Sequence, residues 1–165
     1  MRSNGSVYVS IVVAALAGYF VYQWWFNPNR IIKQRLGDVA ATLSAPANEQ
    51  PVARLARVAQ LRRYADEKVR VTMGRSQYSR DEALGAVAAL QIPPGGVSVD
   101  FADVDVRVNP DGSARAFATA QMTTRDVQTQ QPESLGSVEV VFSLTKQSGD
   151  WLIDAADVKQ QQQER

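Results

Sequence analysis

The sequence predicts an α+β protein: one amino-terminal apolar helix, then three helices packed on a bent antiparallel sheet. Three observations carry this. Helically spaced apolar residues dominate the chain from Pro28 to Leu90, a Pro93-Pro94-Gly95-Gly96 break follows, and alternating segments fill the rest. Ahead of them, Val7 to Phe26 contains no charged residue.

That first run predicts a transmembrane helix. About 20 helical residues at roughly 1.5 Å each cover the ~30 Å hydrocarbon layer. Tyr8 at one end and Tyr22, Trp24, Trp25 and Phe26 at the other are rings suited to a membrane–water interface. Ala14 and Gly18 form a small-x-x-x-small pair on which another helix could pack. Ala15-Leu16-Ala17 would suit signal cleavage, but only after an unusually short apolar core. The expected layout is a short tail over 1–6, a span over 7–26, a domain over 27–158 and a polar, disordered tail over 159–165. Arg2 precedes the span and Arg30, Lys33 and Arg35 follow it, a count that favours a cytoplasmic domain.

Asn27-Pro28 is a helix start signal, and Ile32, Leu36, Val39, Ala40 and Leu43 then repeat at helical spacing up to Ala45-Pro46. Asn48 is the expected N-cap of a second domain helix with Pro51 in its first turn. Leu55, Val58, Ala59 and Leu61 form its expected apolar stripe, surrounded by Arg54, Arg57, Arg62 and Arg63. Lys68 to Met73 alternates and predicts a short strand. Ser79 followed three residues later by Glu82 is a capping box, starting a helix to about Leu90.

Beyond the Pro/Gly break, Val97, Val99 and Phe101 fall on odd positions but Val104, Val106 and Val108 on even ones. The change of phase predicts a β-bulge near Phe101-Ala102. Asn109-Pro110-Asp111-Gly112 is a turn, since proline fixes one dihedral and glycine accepts a positive φ. Ala114, Ala116, Ala118, Ala120 and Met122 predict a strand with a small-residue face. Gln128 to Ser134 reads as a polar loop. Val138, Val140, Phe142 and Leu144 alternate again, and Trp151 with Ile153 begins a last strand after a Gln147–Asp150 turn.

Composition narrows the chemistry. The 165 residues contain no cysteine and no histidine, which removes thiolate nucleophiles, disulfides and the commonest general base and metal ligand. Asp100, Asp103 and Asp105 lack the spacing and glycine of a calcium loop, so no metal and no cofactor are expected. Lys and Arg outnumber Asp and Glu by 12 to 6 over residues 1–96, and the ratio reverses to 6 against 11 over residues 97–165. No nucleic-acid motif accompanies the basic half, and nucleic acid is not an expected partner. Asp103 and Asp105 face away from Val104 and Val106 and read as surface charges rather than bases.

The element order, the Pro/Gly break and the terminal Gly149-Asp150-Trp151-Leu152-Ile153 resemble the nuclear transport factor 2-like superfamily. That resemblance implies a cone, a bent sheet wrapped around helices with a pocket at its open end. Tyr64, Phe101, Phe117, Phe142 and Trp151 are the candidate lining. With an anchor the architecture is also similar to the inner-membrane scaffold of type IV secretion systems, which implies a periplasmic domain. Cyclases and dehydratases of the superfamily use histidine with aspartate, and histidine is absent here. The expectation is therefore a single-pass, non-enzymatic interaction module in contact with the bilayer and with other complex subunits or copies of itself. The alternatives are a binder of small apolar ligands, or a cyclase- or isomerase-like enzyme with Asp103 or Asp105 as base and Tyr64 or Tyr78 as oxyanion donor.

Overall fold

A computed structural model describes residues 5–159. Four helices, α1 (Gly5–Trp25), α2 (Pro28–Leu43), α3 (Pro51–Arg62) and α4 (Arg80–Ala89), accompany six strands. The strands are β1 (Ala65–Met73), β2 (Ser76–Ser79), β3 (Ser98–Val108), β4 (Ser113–Arg125), β5 (Pro132–Gln147) and β6 (Asp150–Lys159), in the spatial order β2-β1-β6-β5-β4-β3. The sheet is mixed rather than antiparallel, because β1 runs parallel to β6. A strand separated from its neighbour by nearly half of the chain is free to pair in either direction, and local turns do not reveal which.

The apolar run does form a helix, α1, and its side chains from Ser10 to Tyr22 are exposed. Among the described residues, however, no helix is long and apolar enough to cross a membrane. The expected single-pass membrane placement with a periplasmic domain is corrected accordingly. The reason lies in composition: the unbroken aliphatic block is only Ile11–Ala17, about 11 Å, and Tyr19, Tyr22 and Trp24 carry polar atoms that belong at an interface. Around the junction Tyr22 stacks on Phe26, centroids 4.7 Å apart, and Arg30 lies 4.6 Å over Trp24. Ala14 and Gly18 are exposed, and a Cβ on Gly18 would meet nothing within 4 Å. The side chains of Tyr8 and Trp25, residues 1–4 of the expected tail and residues 160–165 lie outside the described residues.

Asn27 caps α2 by accepting from the Asn29 amide, with Pro28 in the first turn. Ile32 and Leu36 are fully buried, and α2 packs on β3. The small face of β4 allows close approach to the sheet, with Ala114, Ala116, Ala118 and Ala120 all buried. Burying a Leu or Ile side chain contributes about 2 kcal/mol each. The bulge lies between Ala102 and Asp105, with Asp103 at φ 52, two residues beyond the expected place. The Gln128–Ser134 segment is only partly a loop, since β5 already starts at Pro132.

α3 departs most from expectation. Its N-cap is Gln50, without a side-chain cap bond, whereas Asn48 adopts φ 55 in the preceding turn. Leu55 and Ala59 face solvent, and Arg57 and Leu61 are the buried residues. The inward stripe is Arg54, Arg57, Val58 and Leu61, the same helical spacing rotated by one residue.

The Pro93–Gly96 break is a packed joint. A Cβ on Gly95 would sit 1.7 Å from the Arg125 carbonyl oxygen, and Gly96 has φ 76. Next to it Ala45 and Val97 exchange two backbone hydrogen bonds of 2.8 Å, pinning the end of α2 to the start of β3.

Candidate functional site: an apolar cavity with two arginines on its wall

Between the helices and the inner face of the sheet lies a cavity of about 820 Å³. Alternation along the strands places Val71 of β1, Phe101 of β3, Ala120 of β4, Val138, Val140 and Phe142 of β5, and Ala156 of β6 on its wall. The helices close it with Leu43, Leu61, Leu84 and Val87. Phe101 meets Phe142 edge to face at 5.2 Å. Such a volume and wall match a small-molecule cavity.

The polar side chains on the wall are Arg57, Tyr64, Tyr78, Arg80 and Gln91, and no carboxylate is among them. Tyr64 is set just past α3, its amide donating to the Leu61 carbonyl and its own carbonyl accepting from the Ile153 amide of β6. Arg35 lies 5.1 Å over the Tyr64 ring and donates through Nε to the Trp151 carbonyl.

Arg57 is 9% exposed and fully engaged. Its Nε donates to Glu49 Oε1 at 2.7 Å, its Nη2 to Glu49 Oε2 at 3.0 Å and its Nη1 to the Leu43 carbonyl. Arg54 adds a third bond to Glu49, whose side chain is 2% exposed. Hydrogen bonds and charge from Arg57, reinforced by Arg54, hold the Glu49 carboxyl below its usual range despite burial.

Arg80 differs. It is the first residue of α4, directly after Ser79, and the capping box fixes that turn: the Ser79 amide donates to Glu82 Oε2 at 2.7 Å. The Arg80 Nε is buried without a hydrogen-bond acceptor. Its ion-pair partner is Asp81 at 4.0 Å, and that carboxylate is 72% exposed. Asp66 feels the Arg80 charge but is committed elsewhere, accepting from the Lys68 amide and from Gln147.

Of the residues expected to line the pocket, Tyr64, Phe101 and Phe142 do so. Phe117 lies on the opposite face of β4 under Arg107, 5.2 Å away, and Trp151 is buried in the core beside α2 rather than on the cavity wall. Asp103 and Asp105 are exposed, and Asp105 pairs with Arg107 at 3.0 Å. Among the described residues no group of acidic side chains could hold a metal ion. Arg57, Arg80, Leu84 and Val87 were not among the expected lining. Arg80 had a local signal in the capping box before it, but Arg57 had none except the neighbouring Glu49.

No protein-family model and no curated protein matches the chain. Solved structures do. An NTF2-like protein with a cystatin-like fold from Novosphingobium aromaticivorans superposes with a TM-score of 0.62 at 12% identity, covering 88% of this chain and 90% of that one. The fold is nuclear transport factor 2-like. ActVI-ORFA from Streptomyces coelicolor gives 0.64 at 14% identity, covering 79% of this chain and 94% of that one. A protein provisionally named a scytalone dehydratase, also from Novosphingobium aromaticivorans, gives 0.60 at 13%, covering 79% and 81%. These likenesses carry the domain fold. The finer resemblance to an anchored secretion scaffold depends on a membrane span and is not shown.

They also correct the expectation that the chain is not an enzyme. A structure with the same architecture bears a dehydratase name, so the fold itself does not exclude catalysis. Arginine and tyrosine on a cavity wall are competent hydrogen-bond donors to a developing oxyanion.

Proposed function

We propose that the protein binds a small, largely apolar molecule in the cavity between its helices and sheet. The observation that carries this reading is the open volume of about 820 Å³ walled mainly by apolar side chains. Close packing normally fills a core, so a space this large is a cost unless something occupies it. Displacing water from such a wall contributes roughly 25 cal/mol for each Å² buried. This favours the ligand-binding alternative over an interaction module as the main role of the domain.

Nile red, a neutral apolar dye, tests it. The full chain is expected to bind the dye saturably, one molecule per chain, with a blue-shifted emission. Ala120→Trp, which fills the cavity from β4, should abolish the signal while circular dichroism stays that of a folded protein. Absence of saturable binding by the unaltered chain would contradict the reading.

A second reading is that the bound molecule is transformed. The dehydratase-named neighbour supports it, as do Tyr64, Tyr78 and Arg80 as donors on the wall. Mass spectrometry of ligands recovered after incubation tests it: recovery of every bound compound unchanged counts against turnover.

A further inference from the structure

We infer that the ligand is an amphipathic acid, an aliphatic chain ending in a carboxylate, and that the Arg80 guanidinium receives its head group. This rests on the cavity-binding reading and adds the chemical class of the ligand. Of the two arginines on the wall, Arg57 has its charge matched by a buried Glu49 and its donors occupied. Arg80 has a buried Nε with no acceptor, and its nearest carboxylate is 4.0 Å away and largely in solvent. A buried donor without a partner costs free energy, and among the described residues no protein acceptor relieves it.

A carboxylate is the group that fits. Its two oxygens match the fork of a guanidinium, so one ligand can accept from both terminal nitrogens of Arg80 together. The remaining wall dictates the rest of the molecule. Val71, Leu84, Val87, Val140 and Val158 are aliphatic, which suits a flexible hydrocarbon chain. With no carboxylate on the wall, an entering anion meets no like charge there. Arg80 stands on a turn held by the Ser79–Glu82 capping box, so its backbone is fixed before the ligand arrives. Preorganisation of this kind lowers the ordering cost of binding.

The test compares dodecanoate with methyl dodecanoate, equal in chain length and different in charge, by isothermal titration calorimetry below the micellar range. The unaltered chain should bind the acid about tenfold more tightly than the ester, the effect of roughly one charge-assisted hydrogen bond. In Arg80→Gln that ratio should fall to about one, and Arg80→Lys, which keeps the charge but loses the fork, should fall between. An acid-to-ester ratio near one in the unaltered chain, or a ratio that survives Arg80→Gln, overturns the head-group inference while leaving cavity binding intact. If neither probe binds, the cavity reading falls and the inference falls with it. Thermal melts of Arg80→Gln and Arg80→Lys confirm that each ratio comes from a folded protein.

Discussion

Arg57 and Arg80 stand on the wall of the same cavity, and their surroundings assign them opposite work. Arg57 lies on α3 and closes a bidentate pair with Glu49, helped by Arg54 and the Leu43 carbonyl. It ties the α2–α3 connection to α3. Arg80, at the start of α4, keeps a buried donor unsatisfied. The contrast teaches that charge on a cavity wall says little by itself. What matters is whether the protein has already supplied the counter-charge.

The strongest way to break the comparison is to strip Arg57 of its partner. Glu49→Ala leaves Arg57 buried and uncompensated and should cost about 3 kcal/mol, measured by urea unfolding. Truncating the two arginines should then separate them. Arg57→Met strands the Glu49 carboxylate with only Arg54 and should destabilise by about 2 kcal/mol, whereas Arg80→Met removes an unsatisfied donor and should change stability by less than about 0.5 kcal/mol. Equal losses in the two variants would show that Arg80 is structural.

Acid sharpens the same contrast. The folded-state pKa of Glu49 lies below its unfolded value, so its pairing stabilises the protein at pH above the ordinary glutamate range. That contribution is lost as pH falls through the lowered folded value. Denaturant midpoints measured between pH 6 and pH 3, as a choice of conditions spanning roughly that range, should therefore drop less steeply in Glu49→Gln than in the unaltered chain. A smaller effect concerns the turn that presents Arg80. Ser79→Ala removes the cap of α4 and should cost about 1 kcal/mol, with acid binding weakened more than ester binding.

Much of this architecture was legible because it is encoded locally. The Asn27-Pro28 start, the Ser79–Glu82 box and the phase change before Val104 each specify a backbone feature through neighbouring residues. The alanine face of β4 was visible through strict alternation. The parallel pairing of β1 with β6 was not, since it joins segments far apart in sequence. Nor was the rotation of α3. Hydropathy favours Leu55 inward and Arg57 outward, and tertiary pairing with Glu49 overrides it by neutralising the arginine. Aromatic residue type points to Tyr64, Phe101 and Phe142 on the cavity wall, whereas strand alternation puts Phe117 on the other face of β4. Aliphatic walls leave no distinctive residue to search for. The span expected over Val7 to Phe26 rests on the absence of charge and on its terminal rings, and among the described residues these do not make a helix apolar enough to cross a membrane.

The most direct test of an acid held on Arg80 is the ionisation of that acid in the complex. Carbon-13 NMR of dodecanoate labelled at its carboxyl carbon follows the bound resonance through a pH titration. An opposite charge beside the carboxyl favours its charged form, so the bound carboxyl should remain ionised well below the pH at which the free acid protonates. In Arg80→Gln the shift should reverse, because burial alone disfavours the carboxylate. A bound carboxyl that titrates upward in the unaltered chain, or identically in both proteins, would contradict the account.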